Sequence, residues 1–489
     1  MYRINHKTRI AVHSLPLLIS LGLAANAQDA APQLVIDNVT VVDVRNGALA
    51  SGQALVIAEG CIAQIVPAGS IAAAADVQLI DGNEAYVVPG YNDMHAHNLN
   101  NFSPETSLPI MLANGITGVR QMAPADATVV SFDAEGAPIL PPDSPEVLAI
   151  AGTILAGPAL ATPEAATAEV ARQADEGTDF IKVTDLPEAA FLAATDEAHA
   201  HGLKISGHLS PAIDPDAAIA HGFDSIEHLG PTIGLLLSCS TAEDPIRAAA
   251  RTAPSAIEGL DFSQDPTVIA RLLANPLLLA PPESVDLMQK VLATYSEEKC
   301  AKLAADLAAS TTWVTPTLTR LEAMDLGNSP DLRNNPDLRY APKASRDIWL
   351  AVGDDFDAKL SPERRQTLAD LFSRQLAMVK LFDEAGVKMM AGTDQGGQWI
   401  VPGFSLHREF DLLARAGLSP LRILQMTTLA AATYLAREAD MGTVEVGKAA
   451  NLVLLSANPL DSVANLHGID AVVRDGRYLS RADLDAMLA

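Results

Sequence analysis

Hydrophobic and polar residues alternate at both ends of the chain, whereas the middle repeats a different pattern. Near the N-terminus the alternation runs loosely through 33–41 and 54–66, and near the C-terminus it returns in "GTVEVGKAANLVLL" and "IDAVVRDGRYL". A period of two is typical of half-buried strands. We therefore predict a small β-sandwich domain formed by both termini, from 28–88 and 441–489.

The middle of the chain repeats a short apolar run followed by an amphipathic helical stretch, such as 163–176 or 187–201. The predicted strands are one that ends at His95, then 116–122, 147–155, 180–183, 204–208, 225–228, 313–318 and 388–392. Eight β/α units are what a closed barrel needs, so the predicted fold class is α/β, with a (β/α)8 TIM-like barrel over 89–440. A doubly wound open sheet is the alternative, but the glycine-rich phosphate turn typical of it is not visible in the sequence.

One β/α unit is much longer than the others. The segment 236–310 is rich in helical patterns, and we interpret it as a helical insertion in the barrel. Another long stretch, 320–380, precedes the last predicted strand. Barrel loops of this size usually cover an active site.

The first 27 residues have the pattern of a secretory signal. Three basic residues precede an interrupted apolar stretch, and Ala25-Asn26-Ala27 is a small-x-small cleavage pattern. A transmembrane anchor is the alternative, but the segment is short and interrupted by polar residues. We expect an exported protein, periplasmic or secreted, without a membrane anchor once the signal is removed.

The composition of the chain limits the classes of molecule that it can bind. Lys and Arg number 33 against 60 Asp and Glu, a formal net charge of -27, which disfavours nucleic acid and anionic membranes as partners. With 49% hydrophobic and 19% charged residues, the chain is not of the disordered class. A small-molecule substrate is compatible with this charge, and the sequence leaves a homo-oligomer open.

Three cysteines are too few for a disulfide scaffold and fit no zinc finger. Cys239 and Cys300 bracket the insertion almost completely. Because export leads to an oxidising compartment, we predict that these two form a disulfide and that Cys61 stays free. Two unpaired, buried thiols are the alternative.

Polar residues that can bind metals lie at the ends of predicted barrel strands. His95 and His97 project to the same side at the C-terminal end of the first strand, where they can share one metal ion. Further ligand-type residues at strand ends are Lys182, His208, His228 and Asp394. Each alone could be a bonded core residue, but all of them together, in this order, predict a metal centre.

These motifs resemble one known family. "VVPGYNDMHAH", "FIKV", "GHL", "IEHL", "AGTD" and "GTVEVGKAANLVLL" are similar to the amidohydrolase superfamily, in its branch of imidazolonepropionase-like and prolidase-like metal hydrolases. "LANGITGVRQM" and the stretch from 406 to 435 extend the resemblance. It covers most of the chain outside roughly 236–300 and 321–375.

The resemblance implies a binuclear centre of two divalent, zinc-like ions. One ion would be held by His95, His97 and Asp394, and the other by His208 and His228. Lys182 would be carboxylated and would bridge both ions, and Asp394 would be the catalytic base. The implied activity is hydrolysis of an amide C–N bond by metal-activated water, in a dipeptide, an N-acyl amino acid or a cyclic amide.

Other activities remain open at this point. An esterase, lactonase or phosphotriesterase would use the same ligands, and a non-catalytic interaction protein would be expected to have lost some of them. A deaminase of the same superfamily normally carries a glutamate soon after the third histidine ligand, and "GHLSPAIDP" has none.

The sequence identifies residues that could contact the substrate less specifically than it identifies the candidate metal ligands. Arg120 ends the second predicted barrel strand and could pair with a substrate carboxylate at the mouth of the barrel, or with an acidic loop residue. Tyr340 and Arg320 are further candidates. Asn98 and Gln395, each directly after a ligand, depart from the family pattern and would shape the pocket.

Overall fold

The computed structural model describes residues 32–71, 77–134, 136–253, 266–278 and 280–489. The predicted signal, residues 1–27, lies outside the described residues. The chain divides into two compact units. One contains the described part of Met1–Asn92 together with Leu112–Thr117 and Ser419–Ala489, and the other contains Asp93–Met111 and the described part of Gly118–Leu418.

The strands are β1 Leu34–Asp43, β2 Ala48–Ala58, β3 Cys61–Pro67, β4 Gln78–Asp81, β5 Tyr86–Pro89, β6 Tyr91–Ala96, β7 Ile116–Gln121, β8 Glu146–Ile150, β9 Leu155–Ala156, β10 Phe180–Asp185, β11 Lys204–Gly207, β12 Ser225–Glu227, β13 Trp313–Thr315, β14 Lys388–Met389, β15 Leu452–Leu455, β16 Ile469–Arg474 and β17 Arg477–Ser480. The α-helices of the described part are α1 Pro104–Ala113, α2 Pro163–Glu176, α3 Glu188–Ala200, α4 Pro215–Ala220, α5 Glu243–Ala250, α6 Pro266–Ala274, α7 Ser284–Ala293, α8 Glu297–Ala309, α9 Leu318–Asp325, α10 Pro330–Arg333, α11 Lys343–Lys359, α12 Pro362–Ala385, α13 Phe404–Ala416, α14 Pro420–Thr427, α15 Leu429–Tyr434 and α16 Arg481–Met487. None of these helices combines the length and the apolar composition that a bilayer span requires.

The terminal unit is built around one sheet with the strand order β17-β16-β15-β5-β1-β2-β3, and β4 also pairs with β1. Strands from the two termini join where β15 runs antiparallel to β5. Leu34 and Ile36 belong to one buried cluster and Val35 to another, so both faces of β1 are covered. The predicted sandwich of two sheets is not confirmed, because the strands of both termini pair within a single sheet.

The terminal unit also reaches further into the sequence than the predicted boundary at 441. Its C-terminal segment begins at Ser419 and includes α14 and α15. Gln425 of α14 donates hydrogen bonds to the carbonyl oxygens of Val44 (2.9 Å) and Arg45 (3.2 Å), which follow β1. These contacts to N-terminal residues account for the shifted boundary.

The second unit contains a curled, parallel α/β sheet. The order β14-β13-β12-β11-β10-β9 forms one part and β6-β7-β8 the other. A bridge between Ala151 and Phe180 joins the parts on one side, and the amide of Met94 donates to the carbonyl of Ala391 (3.0 Å) on the other. The eight predicted strand positions all carry strands, with the third divided into β8 and β9, and the arrangement is that of a TIM-like barrel.

The insertion between β12 and β13 is helical in its described parts, with a 3₁₀ turn at Gly234–Cys239 followed by α5 to α8. The structure joins Cys239 and Cys300 in a disulfide with Cα atoms 4.4 Å apart, the expected pairing, and Cys61 is free. The amide of Ser296 donates to the carbonyl of Cys239 (2.7 Å) beside the bridge. The two ends of the insertion are therefore held together.

Candidate metal centre

The ends of β6 and β14 bring the first three candidate ligands together. Every residue of β6 is buried, and His97 follows its last residue. The amide of Asp394 donates to the carbonyl of His95 (2.8 Å), so the two chain segments lie side by side. Gly392 permits this approach, because a Cβ at that position would lie only 2.9 Å from Cβ of His95.

Asp394 is at the centre of the cluster. Its Oδ1 lies 3.3 Å from Nε2 of His95 and 3.2 Å from Nε2 of His97. Its Oδ2 lies 3.8 Å from Nε2 of His228, whose ring centroid is 5.1 Å from that of His208. Possible ligand atoms of His95, His228 and Asp394 all lie within 4.8 Å of one another, close enough to hold one ion.

Lys182 lies on β10 and is 2% exposed. Its Nζ has no hydrogen-bond partner among the described residues. Burial lowers the pKa of Lys182 to about 8, against the opposing charges of Glu227 and Asp394. The neutral amine, which is the form that can add CO2, is therefore far more accessible here than in water.

Three histidines of the cluster, His97, His208 and His228, favour the neutral form. Burial, followed by the positive charge of Lys182, lowers the pKa of His208 to about 3. Burial likewise lowers the pKa of His97 and holds that of His228 well below its usual value. Neutral imidazole is the form that binds metal ions, so the interior prepares these side chains for coordination.

The residues present fit a divalent metal. Nε2 of His95, Nδ1 of His97 and Nζ of Lys182 are buried and have no hydrogen-bond partner in the described part of the chain. Buried polar atoms are normally bonded, so three such nitrogens in one cluster are unusual. A set of imidazoles and a carboxylate is the donor chemistry of zinc-like ions.

Glu227 is a functional residue that the sequence analysis missed. Its Oε2 lies 2.7 Å from Nδ1 of His95, and its Oε1 accepts from Arg120 (2.8 Å) and from Ser225 (2.7 Å). Burial favours its protonation, but the charges of Arg120 and His95 hold the pKa of Glu227 well below its usual value. The carboxylate thus orients His95 with Nε2 toward Asp394. The available signal was a glutamate inside the buried strand Ser225–Glu227.

Asp93 was also missed. Its Oδ2 accepts from the hydroxyl of Thr393 (2.7 Å), and its Oδ1 accepts from the backbone amides of Thr393 (3.0 Å) and His95 (3.1 Å). Burial raises its pKa to about 6. Asp93 therefore fastens the segment that follows β14 to β6, which sets the distance between Asp394 and the two histidines.

Arg120 does not lie at the mouth of the barrel, where the sequence analysis placed it. It is 0% exposed, with Nε donating to the carbonyl of Met94 (2.6 Å) and Nη2 to Glu227. The physical reason is charge: Glu227 is buried, and a buried carboxylate needs a cationic partner. A contact between Arg120 and a substrate carboxylate is therefore not supported.

Tyr340 and Arg320 occupy different surroundings. The half-buried ring of Tyr340 stacks on Phe404 with centroids 4.7 Å apart, and its hydroxyl accepts from Arg339 (2.9 Å). No described contact joins Tyr340 to the candidate ligands. Arg320 does reach the cluster, since its Nε lies 3.1 Å from Oδ2 of Asp394.

Comparisons with known proteins agree with this fold. The sequence model of the amidohydrolase family matches residues 86–479. A solved bottromycin amidohydrolase has 24% identity and a TM-score of 0.65, with 97% of this chain and 92% of that chain covered. A solved Xaa-Pro dipeptidase with methionine bound in its active site has 18% identity and a TM-score of 0.57, with 91% and 99% covered. At these identities the likeness concerns the fold alone, and no curated protein matches the chain.

Proposed function

Because the chain belongs to the amidohydrolase family, we propose that it is a metal-dependent hydrolase of amide bonds with water as the nucleophile. One observation carries the proposal. Asp394 lies within 3.3 Å of two histidine nitrogens, and next to them a buried lysine has no hydrogen-bond partner among the described residues. A buried lysine without a partner is costly unless it is modified or binds a ligand.

The proposed centre would hold two zinc-like ions. His95, His97 and Asp394 would hold one ion, and His208 and His228 the other. Lys182, carboxylated by CO2, would bridge them, since a carbamate is a bidentate anion. Bound ions of this kind supply a hydroxide near neutral pH and polarise the substrate carbonyl.

Asp394 performs the proton transfer in this proposal. Its carboxylate accepts the proton of the attacking water while the C–O bond forms, and then gives that proton to the amide nitrogen as the C–N bond breaks. Asp93 and Glu227 take no proton in this scheme; they position Asp394 and His95. The leaving group is a neutral amine.

The substrate class follows from the family and from the names of its relatives. We propose a dipeptide-like, N-acyl amino acid or cyclic amide substrate. Two of the solved proteins of similar fold are named a bottromycin amidohydrolase and a Xaa-Pro dipeptidase. An ester, lactone or phosphotriester could meet the same ligands, so the test includes them.

The decisive experiment measures bound metal and substrate range together. We expect about two zinc-like ions per chain and hydrolysis of amides in preference to esters, lactones and phosphotriesters. Asp394→Asn should lower kcat by orders of magnitude while the protein stays folded. Asp196→Asn, which alters an exposed pair with His221, is the matched control. Near-normal kcat in Asp394→Asn, or activity on phosphotriesters alone, would contradict the proposal.

The bridging lysine has its own test. Lys182→Ala should lose metal and most activity, and short carboxylic acids should restore part of both by replacing the carbamate. Lys204→Ala on the neighbouring strand, where the lysine pairs with Asp224, is the control and should keep both. Two bound ions and full activity in Lys182→Ala would exclude a bridging role.

We also propose that the protein is exported. The support is the sequence pattern of 1–27 and the Cys239–Cys300 disulfide, a bond that persists in oxidising compartments. The mass of the chain recovered from the exporting cell should correspond to a start at Gln28. An uncleaved chain recovered from the cytoplasm would contradict export.

A further inference from the structure

Two amide side chains beside the metal ligands have unmet hydrogen-bonding capacity. Gln395 follows Asp394, is 1% exposed, and has no hydrogen-bond partner for either amide atom among the described residues. Asn98 follows His97 and is 0% exposed, and its Oδ1 has no hydrogen-bond partner in the described part of the chain. Buried amides are normally bonded, so a side chain with both atoms free is a rare feature.

Both amides lie on chain segments that meet at the metal centre. The amide of Asp394 donates to the carbonyl of His95 (2.8 Å). Further along, a Cβ on Gly396 would lie only 2.2 Å from Nδ2 of Asn101, so the two segments are in direct contact there as well. Gln395 and Asn98 are thus each one residue from a ligand, on adjoining segments.

The amide of Asn98 is only partly engaged by the protein. Its Nδ2 donates to Sδ of Met111 (2.9 Å) and, at 3.4 Å, to the hydroxyl of Ser107. These contacts orient the side chain and leave its oxygen as the acceptor. Gln395 supplies both a donor group and an acceptor.

The arginines of the site are already fully engaged. The three nitrogens of Arg120 bond to Met94, Ser206 and Glu227. Those of Arg320 contact Asp394 and the carbonyls of Leu273 and Ala274. A free carboxylate is bound best by an arginine fork, and neither arginine can offer one. The formal net charge of -27 also repels anionic substrates.

We propose that Gln395, assisted by Asn98, forms a subsite for an uncharged peptide-like group next to the scissile amide. A carboxamide donates and accepts in the same plane, which complements the C=O and N–H of a second amide. The substrate is then a peptide amide, a cyclic peptide or an internal peptide bond, and not a dipeptide with a free C-terminal carboxylate. This inference rests on the proposed function and narrows its substrate class.

The test uses the zinc-loaded protein and compares two matched substrates. For one dipeptide sequence, two forms are compared: one with a C-terminal amide and one with a free C-terminal carboxylate. The peptide bond of the amidated form should be hydrolysed with a kcat/KM at least about 10-fold above that of the free acid. The product pair gives a second measurement on the unaltered protein: an amino acid amide should inhibit more strongly than the same free amino acid. Equal or reversed preference in both measurements would overturn the inference.

Substitution of Gln395 tests whether this residue causes the preference for the C-terminal amide over the free acid. Gln395→Met keeps the length and removes the amide, so kcat/KM for the C-terminal amide should fall on the order of 10- to 100-fold, chiefly through KM. The free acid should be affected little. Gln398→Met is the matched control, because that buried amide donates to the carbonyl of Trp349 (2.8 Å); it should lower Tm and leave the preference unchanged.

The outcomes separate this inference from the proposed function. If Gln395→Met does not fold, Gln395→Leu and the product inhibition of the unaltered protein still decide. If the metal-loaded protein hydrolyses no amide, the proposed function fails, and calorimetric binding of the amino acid amide against the free amino acid tests the subsite by itself. An unchanged amide-to-acid ratio in folded Gln395→Met would refute the role of Gln395.

Discussion

At the scale of single residues, Glu227 links a candidate metal ligand to a buried arginine. It contacts Nδ1 of His95 on one side and Arg120 on the other, and all three are buried. The sequence predicts His95 as a ligand, but which of its ring nitrogens is directed toward Asp394 depends on Glu227. The Arg120 charge is needed to keep Glu227 ionised in the interior.

We predict that Glu227→Gln weakens zinc binding roughly 10- to 100-fold, the usual effect of losing a carboxylate behind a histidine ligand. Competition with a chromogenic chelator measures the affinity. Glu243→Gln changes a comparable glutamate–arginine pair in the insertion, with Arg247, and serves as the control. Equal zinc affinity in both variants would show that Glu227 does not orient His95.

At the scale of elements, the start of α9 connects a candidate metal ligand to a buried carboxylate. Thr317, just before α9, has a left-handed backbone (φ 46°), and its hydroxyl lies 2.6 Å from Nδ1 of His228. Glu409 of α13 accepts from the amide of Thr319 in the first turn of α9 (2.8 Å). Burial raises the pKa of Glu409 to about 8.

This shift predicts a pH dependence of stability. Glu409 ionises near pH 4.5 when unfolded but near pH 8 when folded, so the folded state holds the extra proton between these values. The free energy of unfolding of the wild type should therefore fall relative to Glu409→Gln as pH rises from 4.5 to 8, by at most roughly 1.4 kcal/mol per pH unit.

Denaturant unfolding of both proteins at several pH values checks this prediction. Glu363→Gln, at the exposed first turn of α12, is the control and should track the wild type across the same range. If the difference in the free energy of unfolding between the wild type and Glu409→Gln stays constant with pH, Glu409 has an ordinary pKa.

The disulfide belongs to the same scale, because it closes the helical insertion across 61 residues of sequence. In the chain-entropy model, a loop of this length stabilises the folded state by on the order of 4 kcal/mol. The double variant Cys239→Ala/Cys300→Ala should unfold at lower temperature than the wild type, whereas Cys61→Ser should not. If reductant leaves the Tm of the wild type unchanged, the bridge contributes nothing.

At the scale of the whole molecule, bound metal should couple to global stability. Ions that bind the folded chain and not the unfolded one stabilise it by about 4 kcal/mol when free metal exceeds Kd a thousandfold. A chelator should lower Tm in scanning calorimetry, and zinc should restore it. The change in Tm on adding chelator or zinc should be much smaller in Lys182→Ala than in Lys204→Ala, since Lys182 is the proposed bridge between the ions. Equal changes in Tm would argue against a structural role of the metal.

Features that depend on local pattern could be predicted from the order of the amino acids. Apolar periodicity located the barrel strands, because a strand buried by its neighbours needs a run of apolar residues. Polar residues at the ends of those runs marked His95, His97, Lys182 and Asp394. The disulfide pairing followed from where the cysteines bracket the insertion.

The tertiary structure alone decided the features that depend on distant pairing. Arg120 and Glu227 are 107 residues apart, and Asp93 and Thr393 are 300 apart. Their contacts exist only because the sheet curls and sets the strand register, which no local period encodes. The same holds for the single terminal sheet, where strands from both ends of the chain pair. Likewise, only the folded chain shows that the amide of Gln395 has no hydrogen-bond partner among the described residues.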